Sequence, residues 1–191
     1  EIPGTIRGHL FQQNTMRDAL IASTTLDIFH RHTDRVKMAN IAQMVNVLQA
    51  LILTDKEKMI LTPTYHVFDM FKDNQDATLL PSVLTSADYA VDGEKMNALS
   101  ASGSLTKDGK ININLVNVHA SEPMELSCSV QGVDIKKVTG RILTAERINS
   151  YNTFKNPEEV VAKSFTGFNI QNGNLVVKMP AKSIIVLQVE K

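Results

Sequence analysis

From residue 79 to residue 189 the chain repeats one pattern: a short run rich in Val, Ile and Leu, a turn signal, and another run. The runs cover 79–86, 96–104, 110–119, 124–130, 138–144, 175–179 and 183–189, and the turn signals include Asp92-Gly93, Lys107-Asp108-Gly109, Gln131-Gly132 and Asn172-Gly173. Runs of this length, set apart by such dipeptides, predict short strands. Seven at this spacing predict a β-sandwich. Within one of them Ile111, Ile113 and Leu115 alternate with Asn112 and Asn114, which predicts an antiparallel strand buried on one face only.

The front of the chain has a different texture. Residues 14–30 place Met16, Ala19, Leu20, Ala22, Leu26 and Phe29 at helical spacing, and Thr15 with Asp18 has the form of a capping box, so one amphipathic helix is expected. A polar turn, HRHTDR, leads into KMANIAQMVNVLQALIL, where a polar residue returns every third position: Lys37, Asn40, Gln43, Asn46 and Gln49. A period of three keeps a polar stripe on one face of neither a helix nor a strand, so the stretch must change conformation partway. The expectation is a buried strand over 36–42 with Gln43 at its C-terminal end, followed by irregular or helical chain. Beyond the charged turn at 55–58, Thr62-Pro63 offers an N-cap with proline at the first helical position, and Val67, Phe68, Met70 and Phe71 form the apolar face of a short helix ending near Lys72. Helix, strand, helix contains a single strand, which cannot be a sheet by itself. The apolar faces Leu20/Phe29 and Val67/Phe71 are expected to cover one side of the sandwich or to self-associate.

At 191 residues and 43% apolar composition the chain can bury a sizeable core. Twenty basic and twenty acidic residues cancel without a basic block, which argues against nucleic acid or an anionic membrane surface as partner. Five polar side chains inside residues 37–53 argue against a membrane span there. The single cysteine, Cys128, excludes an intrachain disulfide and a multi-cysteine metal site, and its neighbours Leu126 and Val130 make it a small core residue. Residues 1–13 lack the pattern of a secretory leader and the chain has no initiating Met, so it reads as part of a longer protein whose compartment stays open.

Few constellations carry chemistry. His30 and His32 lack the further ligands that zinc requires and suit the end of a helix instead. His66 and His119 are isolated, Ser121 beside His119 lacks a nucleophile-elbow context, and Glu158-Glu159 lies in a polar stretch facing solvent. Gln43 and Asn46 stand apart, because an amide at the end of a buried strand must find partners or cost stability. Two readings stay open for them: satisfied core amides, or contacts to a sugar.

Three stretches bear on that choice: the first, EIPGTIRGHLFQQNTMRDALIASTTLDIFHRHTDRVKMANIAQMVNVLQALILT, is followed by ILTPTYHVFDMFKDNQDAT and later by RINSYNTFKNP and KMPAKSIIVLQVE. Together they resemble the C-terminal portion of α-L-arabinofuranosidases of glycoside hydrolase family 51. The resemblance runs over nearly the whole chain, is densest from Gln12 to Thr78, and is most specific in QQNTMRDAL and TDRVKMANIAQMVNV.

That family has a (β/α)8 barrel followed by a jelly-roll-like β-sandwich. The resemblance therefore implies a mainly β chain with a helical front, in which residues 1–75 supply the last helix, strand and helix of the barrel and residues 76–191 form the sandwich. The eighth barrel strand would span about 36–43, placing Gln43 at its C-terminal end, where such barrels carry their active sites. In the family a glutamine there contacts the arabinofuranose being released. The resemblance carries that role to Gln43 alone, with Asn46 giving at most a supporting hydrogen bond. The two catalytic glutamates of the family lie on earlier strands, and Glu1 matches the loop after the second of them, so no catalytic residue is expected here. The implied activity of the parent is hydrolysis, with retention, of terminal α-L-arabinofuranosyl groups on arabinan, arabinoxylan or their oligosaccharides, with no metal or organic cofactor. The parent is expected to be a homo-oligomer. The competing class is a non-catalytic sandwich that binds polysaccharide, for which Tyr89 and Tyr151 are the available stacking residues in a chain without Trp.

Overall fold

The computed structural model describes residues 13–190, so Glu1 lies outside the described residues. Helix α1 (Met16–Arg31) begins where the capping pattern predicts. The Asp18 carboxylate reaches back to the backbone N–H and the hydroxyl of Thr15, each at 2.7 Å. The free N–H groups of Met16 and Arg17 donate to the carbonyls of Ser150 and Ile148, so the RINSYNTF stretch serves as an external cap for the helix. Helix α2 (Pro63–Phe71) starts at Thr62, whose hydroxyl accepts from the Tyr65 N–H, and a single 3-10 turn (Lys72–Asn74) closes it.

Thirteen strands are formed among the described residues. In chain order they are β1 (Ile52–Asp55), β2 (Lys58–Leu61), β3 (Thr78–Leu80), β4 (Asp88–Val91), β5 (Glu94–Asn97), β6 (Leu99–Leu105), β7 (Ile111–Asn117), β8 (Met124–Cys128), β9 (Lys137–Thr144), β10 (Lys163–Ser164), β11 (Phe168–Gln171), β12 (Asn174–Met179) and β13 (Ser183–Glu190). Six of them make an antiparallel sheet in the order β10-β9-β13-β7-β6-β3, and three make a second, β11-β12-β8. Two hairpins, β1-β2 and β4-β5, stand apart from both.

The period of two in β13 organises the interior. Ile185, Leu187 and Val189 join Ile113 and Leu115 of β7 and Leu175, Val177 and Met179 of β12 in a core between the two sheets. Ile184 and Val186 point the other way and meet Met16, Leu20 and Leu26 of α1 and Val67, Met70 and Phe71 of α2. The helices thus cover one face of the large sheet, as their apolar stripes require, and the order of layers is helices, large sheet, small sheet.

Three expectations are corrected. First, no strand forms over 36–43: the segment carries no regular structure and its side chains are exposed or half-buried. A strand needs a neighbour to take its backbone groups, and none of the described strands lies beside it. Second, β7 is buried on both faces rather than one, because α1 and the 3-10 turn cover the asparagine side. Asn112 donates to the Asp73 carbonyl at 2.9 Å, and Asn114 donates to the Ser102 hydroxyl at 2.9 Å. Third, the run 79–86 contributes only Leu79 and Leu80, the end of β3, as strand, while the two hairpins, β10 and β11 add pairing that the apolar runs did not mark.

Candidate functional site

The irregular chain after residue 42 is a loop built on unusual backbone. Gln43, Asn46 and Leu48 have φ of 60°, 59° and 53°, the left-handed region that side chains other than Asn, Asp and Gly rarely occupy. The polar residues that recur every third position have separate fates. Lys37 Nζ donates to the Thr33 carbonyl. Asn46 is clamped to β1: its Nδ2 donates to Thr54 Oγ1 at 2.8 Å, and its Oδ1 accepts from the Thr54 N–H at 2.7 Å. Gln49 Nε2 donates to Asp18 Oδ1 at 2.8 Å. The end of the loop is pinned where the Thr62 hydroxyl donates to the Ala50 carbonyl at 2.9 Å. Gln43 is exposed, and among the described residues its side chain has no hydrogen-bond partner.

Residues 39–42 and Gln49 face Ala22, Phe29 and Phe68 across a shallow groove between the loop and the two helices. The segment that carries Gln43 is therefore laid along α1, with its polar tip open to solvent.

A second polar cluster lies under α1 and contains an acid, a serine and a histidine. Asp27 is 0% exposed and accepts from the hydroxyls of Ser100 and Ser102, each at 2.7 Å. His30 Nδ1 is 3.0 Å from Ser102 Oγ, and its ring stacks on Phe71 at 5.9 Å. A nucleophilic serine gives its proton to a base and faces substrate; Ser102 is 3% exposed and spends its proton on Asp27. The cluster is a lock between α1, β6 and β7. Burial drives the Asp27 carboxyl up from 3.8 to about 6 against the opposing effects of the two serine hydroxyls and Arg31. Burial, aided by Arg31, holds His30 below the usual histidine range.

The other residues singled out from sequence have structural positions. His32 is the C-cap residue of α1. His119 Nδ1 accepts from the backbone N–H of Ser121 and Glu122, and its ring lies 4.4 Å from that of Tyr89, so the His119/Ser121 pair braces a turn. Tyr89 and Tyr151 are half-buried, the former against the His119 ring and the latter in a backbone bridge to Thr15. Glu158 and Glu159 are exposed. Cys128 is half-buried in β8 at the edge of the inter-sheet core, where burial pushes its thiol up. Among the described residues no three His, Cys, Asp or Glu side chains converge on a common point, and no helix is long and apolar enough to cross a membrane.

The sequence reading missed Asp27 and the Asp18–Gln49 link. Asp27 carried a signal, since it falls on the stripe of Met16, Leu20 and Ser23, the face that the helix buries. The link carried none, because its partners are 31 positions apart.

Residues 4–183 match the family model of the α-L-arabinofuranosidase C-terminal domain. The chain is 50% identical over its whole length to an intracellular exo-α-L-arabinofuranosidase of Bacteroides ovatus and spans 37% of that protein. Among solved structures it is similar to the GH51 arabinofuranosidase from Xanthomonas axonopodis pv. citri, with a TM-score of 0.96 and 48% identity over 99% of this chain and 38% of that one. It is also similar to the α-L-arabinofuranosidase from Thermotoga maritima, solved as an arabinose complex, with a TM-score of 0.84 and 26% identity over 98% of this chain and 41% of that one.

Proposed function

Because the chain belongs to the C-terminal domain family of the α-L-arabinofuranosidases of glycoside hydrolase family 51, we propose that it is the C-terminal part of a retaining enzyme that releases terminal α-L-arabinofuranosyl groups from arabinan, arabinoxylan or their oligosaccharides. In this reading residues 1–75 complete a (β/α)8 barrel, and residues 76–191 are the sandwich that supports it. Segment 36–43, which pairs with none of the described strands, would find its neighbours in the rest of the enzyme. The observation that carries the proposal is the similarity to α-L-arabinofuranosidases over the whole chain; Gln43 is left available for a sugar, being exposed and uncommitted among the described residues, while Asn46 of the same motif and Gln49 just beyond it are engaged inside the chain.

The chemistry follows from the division of labour. Retention requires two carboxyl groups about 5 Å apart, one attacking the anomeric carbon and the other serving as acid and then as base. Both are assigned upstream of this chain. Gln43 contributes a neutral amide that donates and accepts, so it orients sugar hydroxyls without competing for the catalytic proton. Asn46, held by Thr54, shapes the loop beneath it.

The test compares the full-length enzyme with the 191-residue chain on an aryl α-L-arabinofuranoside, following the first-formed anomer by proton NMR. The full-length enzyme should release the α-anomer, and the chain alone should show no turnover above buffer. Turnover by the chain, lost on substitution within it, would overturn the assignment, as would an inverted product from the full-length enzyme.

A further inference from the structure

We propose that Gln49 and Asp18 form a positioning link that fixes the loop bearing Gln43, so that turnover depends on a hydrogen bond made away from the sugar; the inference rests on Gln43 being the sugar contact. Three non-glycine residues between 43 and 48 hold left-handed backbone, a conformation that persists only where the surroundings over-determine it. Several ties do so: Asn46 is bound to Thr54, the backbone of Met44 and Asn46 to that of Ile52, and Ala50 to Thr62, and all of these tie the loop to chain that follows it closely. Gln49 to Asp18 is the side-chain hydrogen bond in this group that reaches back to α1.

The acceptor is well suited to this work. Asp18 is 4% exposed, and its second oxygen is held by both the N–H and the hydroxyl of Thr15. The carboxylate therefore cannot swing to follow a moving loop. Its position is fixed by the first turn of α1, which is itself anchored through Met16 and Arg17 to the carbonyls of Ser150 and Ile148. Among the described residues the nearest cation is the Arg17 guanidinium, exposed and 3.8 Å from Asp18 Oδ1, so the Gln49 amide is the short contact on that oxygen. A loop amide that must meet a flattening sugar ring gains from such pre-organisation, because displacement by about 1 Å can cost up to a hundredfold in rate.

The test uses the full-length enzyme and an aryl α-L-arabinofuranoside. Gln49→Ala should lower kcat/KM per folded molecule by about tenfold, and the Gln43→Ala/Gln49→Ala double variant should be no worse than Gln43→Ala alone, because both act through one contact. Gln49→Glu sets a second carboxylate against Asp18; its kcat/KM, taken relative to the unmodified enzyme, should be low at neutral pH and recover toward acid pH as a shared proton remakes the link. This series carries the test if Gln49→Ala fails to fold. A lowered melting temperature with unchanged kcat/KM per folded molecule would overturn the inference, and so would additive losses in the double variant. If Gln43→Ala is impaired while the Gln49 variants are not, the link alone is wrong. If Gln43→Ala is itself unimpaired, the sugar-contact reading fails and this inference falls with it.

Discussion

Replacing Asp27 by Asn removes a buried charge while keeping the shape of the lock under α1. The carboxyl sits wholly inside, and burial raises it from 3.8 to about 6. Each tenfold change in proton affinity corresponds to about 1.4 kcal/mol, so ionised Asp27 holds back about 3 kcal/mol of stability. The sign follows from proton counting: between these two values the folded protein binds more protons than the unfolded chain, so stability is full below pH 3.8 and falls as pH rises through 6. Asparagine is neutral throughout, its oxygen can accept from Ser102, and the Ser100 hydroxyl can turn to accept from the new amide. Urea unfolding of Asp27→Asn and the unmodified chain, followed by circular dichroism from pH 4 to pH 8, isolates this group because other titrations cancel in the difference. The variant should gain on the unmodified chain as pH rises, by up to about 3 kcal/mol near pH 7. A difference that stays flat across this range would refute the reasoning, as would one that shifts in favour of the unmodified chain, which would mean that the serine hydroxyls outweigh burial.

Two further substitutions test the packing. At Gly140 in β9 an added Cβ would meet the Phe165 carbonyl at 2.8 Å and Leu187 Cδ2 at 2.9 Å, and since the first is backbone, Gly140→Ala should cost about 1 to 3 kcal/mol in a denaturant melt. Asn152 donates to the carbonyls of Leu61 and Val160 and accepts from the Val160 N–H; Asn152→Ala leaves these groups unpaired in a buried site and should cost about 2 to 4 kcal/mol by the same assay.

The two helices were legible because their starts carry local chemistry: Thr15 with Asp18, and Thr62 with Pro63, announce helices that begin at Met16 and Pro63. The cores of β7, β9, β12 and β13 were legible because a β-branched run between turn dipeptides has few other uses. What failed was what depends on distant partners. The apolar run at 36–43 has the composition of a strand, but pairing is a property of two segments and no described strand lies beside it. Asn112 and Asn114 alternate like residues facing solvent, yet the 3-10 turn that closes α2 supplies the Asp73 carbonyl and the Asn74 side chain that take up their hydrogen bonds. The hairpin β1-β2 flanks a charged turn that was visible, but its short strands merged by composition with the apolar stretch before them. At the candidate site Gln43 is singled out by its motif alone, while the Gln49–Asp18 hydrogen bond joins residues whose spacing carries no pattern.

The central claim, that Gln43 meets the sugar and does not serve the core, is tested most directly by Gln43→Ala in the full-length enzyme, with kcat/KM on an aryl α-L-arabinofuranoside and the melting temperature measured on the same preparation. An exposed amide without an intrachain partner among the described residues contributes little to folding, so the melting temperature should hold. Losing one or two neutral hydrogen bonds that tighten in the transition state should lower kcat/KM by about 10- to 100-fold, or about 1.4 to 3 kcal/mol. An unchanged kcat/KM per folded molecule would contradict the account.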